Sequence, residues 1–248
     1  MHRIHLGAAF AAALTVCISL APARAAEAVR CGPFANEQLS TPIPPPYPSA
    51  RERVEWITRA VKSGLYSVFF FGDSLTEGWN GTVWERSLAS RGALNAGVSG
   101  DRTDNLLWRL QNGNLAGPPP KAVVLLIGTN DLGSGRSPEL TADGIRTTIE
   151  TLRRQFPEAR ILLLGLLPRE ESPMAPLRVA TTKVNHLIRD CADGLHIFFA
   201  DIGNVLLDGE QRLTPAISPD GLHFTARGYS LLASRLDPEL DRLLGPER

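Results

Sequence analysis

The stretch Val68-Phe-Phe-Phe-Gly-Asp-Ser-Leu75 limits what this chain can fold into more than any other. An apolar run rich in strand formers stops abruptly at Gly72, and a polar Asp-Ser pair comes next. The run does not alternate with polar residues, so it reads as a strand of a parallel sheet, buried on both faces. Ser74 then stands at the strand's carboxyl end, where open α/β sheets place their ligands. A serine there either caps the next helix or does chemistry. The stretch alone favours neither.

Its surroundings repeat the pattern. Strand-like runs are expected at Ser67–Phe71, Ala93–Ala96, Ala122–Ile127, Ile161–Leu166 and Leu195–Ala200. Helical segments lie between them. Val54, Ile57 and Val61 recur at helical spacing after Arg51, and Gly64 ends that helix. Further helices are expected over Thr82–Ser90, Asp104–Gln111 and Leu177–Ala192, and over a segment capped by Thr141 that ends near Phe156. A last helix starts at Ala226, with Pro238 breaking or kinking it. Strands alternating with helices predict an α/β fold: a doubly wound five-stranded parallel sheet in one domain over 51–248.

Before that domain come two other segments. Residues 1–25 carry Arg3, an apolar core from Leu6 to Leu20 and a small-x-small site at Ala23-Arg24-Ala25, the pattern of a cleaved signal peptide. This predicts a secreted or periplasmic protein. Residues 26–50 form a proline-rich arm, with five prolines within Thr41–Pro48, expected to run over the domain surface. Of 248 residues, 26 are basic and 26 acidic, so a basic nucleic-acid footprint is not expected. After the signal, Cys31 and Cys191 remain. They either pair in an oxidising compartment, tying the arm to the domain, or stand as two unrelated thiols. No Cys/His cluster points to a metal, so neither metal nor cofactor is expected.

The turns at the strand ends suggest function. Gly72-Asp-Ser-Leu75 comes after the first strand, Asn95-Ala-Gly-Val-Ser-Gly100 after the second, Gly128-Thr-Asn-Asp131 after the third, and Asp220-Gly-Leu-His223 after the fifth. Parallel strands bring their carboxyl ends to one edge, so these turns should converge. Each then has a place in acyl transfer. Ser74 needs a base to become a nucleophile, His223 is the candidate base, and Asp220 is close enough to fix its tautomer. The amides of Ser74 and Gly97 and the side chain of Asn130 are candidate oxyanion donors. Singly, each residue has an ordinary reading as a cap, a turn residue or a surface histidine. Asp73, Asp101 and Asp131 read as loop-holding acceptors, His186 and His196 as structural, and Trp79 and Trp84 either line the pocket mouth or pack.

Together, the four blocks resemble the signature of the SGNH (GDSL) hydrolase superfamily, in order from about residue 65 to 236. Within it, Gly97-Val-Ser-Gly-Asp-Arg-Thr103, Leu107-Trp-Arg-Leu-Gln-Asn-Gly113 and Leu164-Gly-Leu-Leu-Pro-Arg169 are similar to the catalytic subunits of platelet-activating-factor acetylhydrolase. The resemblance implies a flavodoxin-like strand order 2-1-3-4-5. It also implies Ser74 as nucleophile, Asp220 and His223 as acid/base partners, and an oxyanion hole from Ser74, Gly97 and Asn130. The expected activity is hydrolysis of short, acetyl-type carboxylic esters through an acyl-enzyme. Alternatives are an O-acetylesterase on polysaccharide or cell-wall sugars, a lysophospholipase or thioesterase, and, further off, a non-catalytic carbohydrate-binding protein. The expected partner is a small-molecule ester, an acetylated lipid or sugar, with room for a homodimer.

Overall fold

The computed structural model describes residues 29–35, 41–45 and 47–245. The expected signal peptide lies outside them. The sheet has five parallel strands in the order β2-β1-β3-β4-β5. These are β1 (Val68–Gly72), β2 (Ala93–Gly97), β3 (Ala122–Leu126), β4 (Arg160–Leu164) and β5 (Ile197–Ala200). Every residue of β1 and β3 is buried, as a strand covered on both faces must be. The phenylalanines of β1 show what covers it. Phe69 meets Phe156 edge-on with ring centroids 6.3 Å apart, while Phe70, pointing the other way, meets Trp84 at 5.2 Å.

Among the described residues, eight α-helices accompany the strands: α1 (Pro48–Lys62), α2 (Ser74–Glu77), α3 (Gly81–Ser87), α4 (Thr103–Arg109), α5 (Thr129–Gly133), α6 (Pro138–Gln155), α7 (Pro176–Arg189) and α8 (Ala226–Leu244). Packing joins α4 to α6 and α6 to α7, and separately α3 to α8. The α1 helix buries Val54, Ile57 and Val61, as their spacing predicts. None of the helices among the described residues is long and apolar enough to cross a membrane.

Several local expectations need correction. Ser137, not Thr141, caps α6: its hydroxyl accepts the Leu140 N–H at 3.2 Å, and Pro138 supplies the first turn. Thr141 lies one turn inside and donates its hydroxyl back to the Ser137 carbonyl. Of the two outcomes expected at Pro238, a break does not occur: α8 continues from Ala226 to Leu244. The start of β5 falls at Ile197 rather than Leu195. The Asp193 carboxylate collects the N–H groups of Leu195, His196 and Ile197 in a tight turn, leaving Leu195 in solvent. The one-turn helices α2 and α5 are too short to show a hydrophobic period.

The arm is tied down. Cys31 and Cys191 form a disulfide, with both residues buried. Phe34 and Ala35 donate their N–H groups to the Asp143 carboxylate on α6. Further on, Asn105 of α4 donates to the Ile43 carbonyl at 3.2 Å. Closing a loop across 160 residues restricts the unfolded chain. Replacing both cysteines by serine should therefore lower the unfolding free energy by about 2–4 kcal/mol. Urea denaturation under non-reducing conditions checks this, and an unchanged midpoint would show that the bond does not staple the fold.

Candidate active site

Ser74 owes its position to Gly72. A Cβ at Gly72 would fall 2.1 Å from the Thr76 hydroxyl and 2.4 Å from the Leu126 carbonyl oxygen, so only glycine lets β1 turn directly into α2. Asp73 caps that short helix, its carboxylate accepting the Leu75 N–H at 2.9 Å. This is the turn-stabilising role expected of it. Burial pushes the Asp73 carboxyl up to about 7, against the Leu75 N–H bond, with the negative charges of Asp101 and Asp131 adding to the rise. Ser74 is the first helical residue and is half-buried.

From the far end of the chain, the segment before α8 brings in the histidine. The Ser74 hydroxyl lies 3.0 Å from His223 Nε2, and His223 Nδ1 lies 2.7 Å from Asp220 Oδ2. The other carboxylate oxygen of Asp220 accepts the N–H groups of Leu222 and His223 at 2.9 and 2.8 Å. Burial of Asp220 would raise its pKa, but the His223 ring and these two N–H groups outweigh that and bring it down to about 2. An ionised Asp220 accepts from Nδ1–H, which leaves Nε2 as the acceptor facing the serine hydroxyl. Tyr229 of α8 locks the segment to the serine turn by donating its hydroxyl to the Leu75 carbonyl at 3.1 Å.

Gly97 and Asn130 arrive at the same edge. Gly97 pairs in register with Gly72 at the ends of β2 and β1. Its lack of a side chain has a steric cause, since a Cβ there would lie 2.2 Å from the Glu77 amide nitrogen. The Gly97 N–H donates to Asn95 Oδ1 at 3.1 Å, so it is already engaged. Asn130, on α5, gives one amide hydrogen to the Asp101 carbonyl at 2.9 Å and keeps a second.

Around them lies a polar frame whose arginines sequence reasoning missed. Asn95 donates to the Thr76 and Glu77 carbonyls, bracing α2 against β2. Arg53 of α1 donates to the carbonyls of Asn95 and Gly97 at 2.7 and 3.1 Å. Arg109, fully buried, reaches the Gly72 carbonyl at 3.0 Å and Asp101 Oδ2 at 2.6 Å. Asp131 accepts the Thr103 N–H and hydroxyl and an Arg136 bond, fastening α5 to the start of α4. Asp131 thus holds a loop as expected, whereas Asp101 does so through the Arg109 side chain. Trp79 and Trp84 pack against one another and against Tyr229 and Phe70. For Arg109 the sequence offered only its place in the Leu107–Gly113 stretch that resembles the acetylhydrolase subunits, and for Arg53 nothing beyond a helix position.

The GDSL-like lipase/acylhydrolase family model matches residues 70–231, which contain all four strand-end blocks. Among curated proteins, the platelet-activating factor acetylhydrolase IB subunit alpha1 of Homo sapiens is 36% identical over 185 residues, covering 73% of this chain and 78% of that one. The alpha2 subunit of Gallus gallus is 35% identical over 181 residues, covering 71% and 77%. Among solved structures, a GDSL-like lipase of Bacteroides thetaiotaomicron superposes with a TM-score of 0.65 at 22% identity, over 77% of this chain and 97% of that one, and so shares the fold. The chain belongs to the GDSL-like lipase/acylhydrolase family and is a carboxylic ester hydrolase.

Proposed function

We propose that the protein is an exported esterase that removes short, acetyl-type acyl groups through an acyl-enzyme on Ser74. The continuous relay from the Ser74 hydroxyl through His223 to Asp220, with contacts of 3.0 and 2.7 Å, carries the reading. His223 Nε2 takes the hydroxyl proton as Ser74 Oγ bonds to the ester carbonyl carbon. Asp220 stays ionised and stabilises the imidazolium. The oxyanion is held by the Ser74 N–H and the second amide hydrogen of Asn130, with Gly97 joining once its N–H turns from Asn95. On collapse the alcohol leaves with the proton from His223. Water then repeats the sequence and frees the acid.

The likeness to the platelet-activating factor acetylhydrolase subunits supports the preference for acetyl groups. For export, the Cys31–Cys191 bond fits an oxidising compartment, in line with the signal-like N-terminus.

Ser74→Ala should abolish p-nitrophenyl acetate hydrolysis without changing the unfolding midpoint, and an organophosphate should label the wild type at Ser74. Substantial turnover by the folded variant would remove Ser74 from the mechanism. Asn130→Ala should lower kcat by about 10²–10³-fold with a much smaller change in KM. Because that change also removes the bond to Asp101, thermal unfolding is measured beside kcat; lost stability with near-normal turnover would make Asn130 structural. Across p-nitrophenyl esters from acetyl to decanoyl, kcat/KM should fall with chain length. An open apolar channel would instead gain roughly 0.8 kcal/mol per methylene, and a rise through octanoyl would assign the protein to lipase- or thioesterase-like substrates.

A further inference from the structure

Beside the serine turn, on the side of the outer strand β2, lies a cleft of about 310 Å³ lined by Tyr47, Ser49, Arg53, Glu77, Ser99 and Gly100. It adjoins the reacting groups through the chain itself. Glu77 is on α2, three residues after Ser74, and Ser99 lies two residues after Gly97. None of these side chains takes part in the hydrolytic steps above.

Tyr47 contributes an aromatic ring that is 61% exposed yet held on a fixed main chain. Its carbonyl accepts the Arg51 N–H at 3.2 Å, and the Arg51 guanidinium donates to the Pro45 carbonyl. The polar groups opposite are equally fixed. One Glu77 oxygen accepts both the N–H and the hydroxyl of Ser99, at 2.6 and 2.7 Å. The other lies 3.7 Å from Arg53 Nε. Arg53 is itself clamped by the carbonyls of Asn95 and Gly97 and stacks over Trp56 at 4.5 Å. The carboxylate and guanidinium therefore compensate each other, so the rim is polar without net charge, and the Glu77 oxygen 3.7 Å from Arg53 keeps acceptor capacity.

That combination selects a ligand class. A single exposed ring accepts the C–H face of a saturated ring, while fixed polar groups at the rim take its hydroxyls, and the volume is at the small end for a ligand site. A cationic headgroup would call for an unpaired carboxylate or several aromatic walls. Here Glu77 is paired, and among the described residues Tyr47 is the sole aromatic one lining the cleft. We propose that this cleft is the subsite for the alcohol half of the ester, a pyranose ring of an acetylated sugar, with Tyr47 as its stacking platform. The proposal rests on the ester-hydrolase reading and names its substrate class.

Binding of xylobiose to the Ser74→Ala protein, monitored by saturation-transfer NMR titration, tests the subsite without turnover. Xylobiose should bind, and adding Tyr47→Ala or Tyr47→Gln should weaken it roughly tenfold, about one contact's worth, while Tyr47→Phe should stay within about twofold. In the Ser74-containing enzyme, the ratio of kcat/KM for acetylated xylobiose to that for p-nitrophenyl acetate should fall by a similar factor with Tyr47→Gln. Xylobiose that fails to bind, or binds the Tyr47 variants equally well, overturns the subsite. Tyr47-dependent binding of glycerophosphocholine in place of xylobiose overturns it in favour of a cationic headgroup. Absence of p-nitrophenyl acetate turnover by the wild type would instead defeat the esterase reading, leaving the binding result to stand separately.

Discussion

The buried guanidinium of Arg109 joins the parts of the active edge. It donates to the Gly72 carbonyl, one peptide before the Asp73–Ser74 turn, and to Asp101 and Asn114. The carbonyl of Asp101 in turn receives the Asn130 side chain. One cation therefore links the end of β1, the loop after β2 and the helix after β3. Burial lifts the Asp101 carboxyl to about 6 even though Arg109 pulls it the other way. The pair is thus kept at a desolvation cost that its own attraction does not fully offset. Removing either partner would leave the other charge buried and cost about 3–5 kcal/mol. Such a pair adds little net stability, and its benefit is the relative placement of three separate turns.

The second constraint is the close seat of α2 on β2. Gly97 has no side chain because the Glu77 amide occupies that space, and Asn95 grips the carbonyls of Thr76 and Glu77 from below. These contacts set the direction in which Ser74 leaves the sheet. They also use the Gly97 N–H and Asn95 Oδ1 on each other. The serine turn is therefore positioned from both flanking strands: Leu126 of β3 crowds Gly72 on one side, and Gly97 of β2 receives Glu77 on the other.

His223 reaches this rigid edge from an exposed segment. Asp220 and His223 both stand in solvent, yet the carboxylate accepts two main-chain N–H groups as well as the ring. Tyr229 then ties the start of α8 to Leu75. A histidine–carboxylate contact at the surface would ordinarily be weak. Here the tight Asp220–His223 turn fixes the carboxylate before the imidazole uses it, so the alignment does not depend on burial.

The strand-end blocks, the doubly wound sheet and the residues that meet at the site could be read from the sequence because local order encodes them. An unbroken apolar run means a strand covered twice, a glycine after it means a sharp turn, and parallel strands bring their ends to one edge. Phe69 and Gly72 needed no more than that, whereas Ser74 and His223 stood out only with the four blocks taken together and their resemblance to a known family. Other features depended on what lies across the fold. Arg109 sits at a helix position that spacing assigns no special role, and its burial results from acceptors supplied by Gly72, Asp101 and Asn114. The cap of α6 passed to Ser137 because Pro138 suits the first turn, and Pro238 was carried within a helix packed on its apolar side. Whether Cys31 meets Cys191, whether the Gly97 N–H is free, and whether Tyr47 faces a cleft are all questions of distance between remote segments. Periodicity records which side of an element is apolar; only the packed structure decides which groups end up opposite one another.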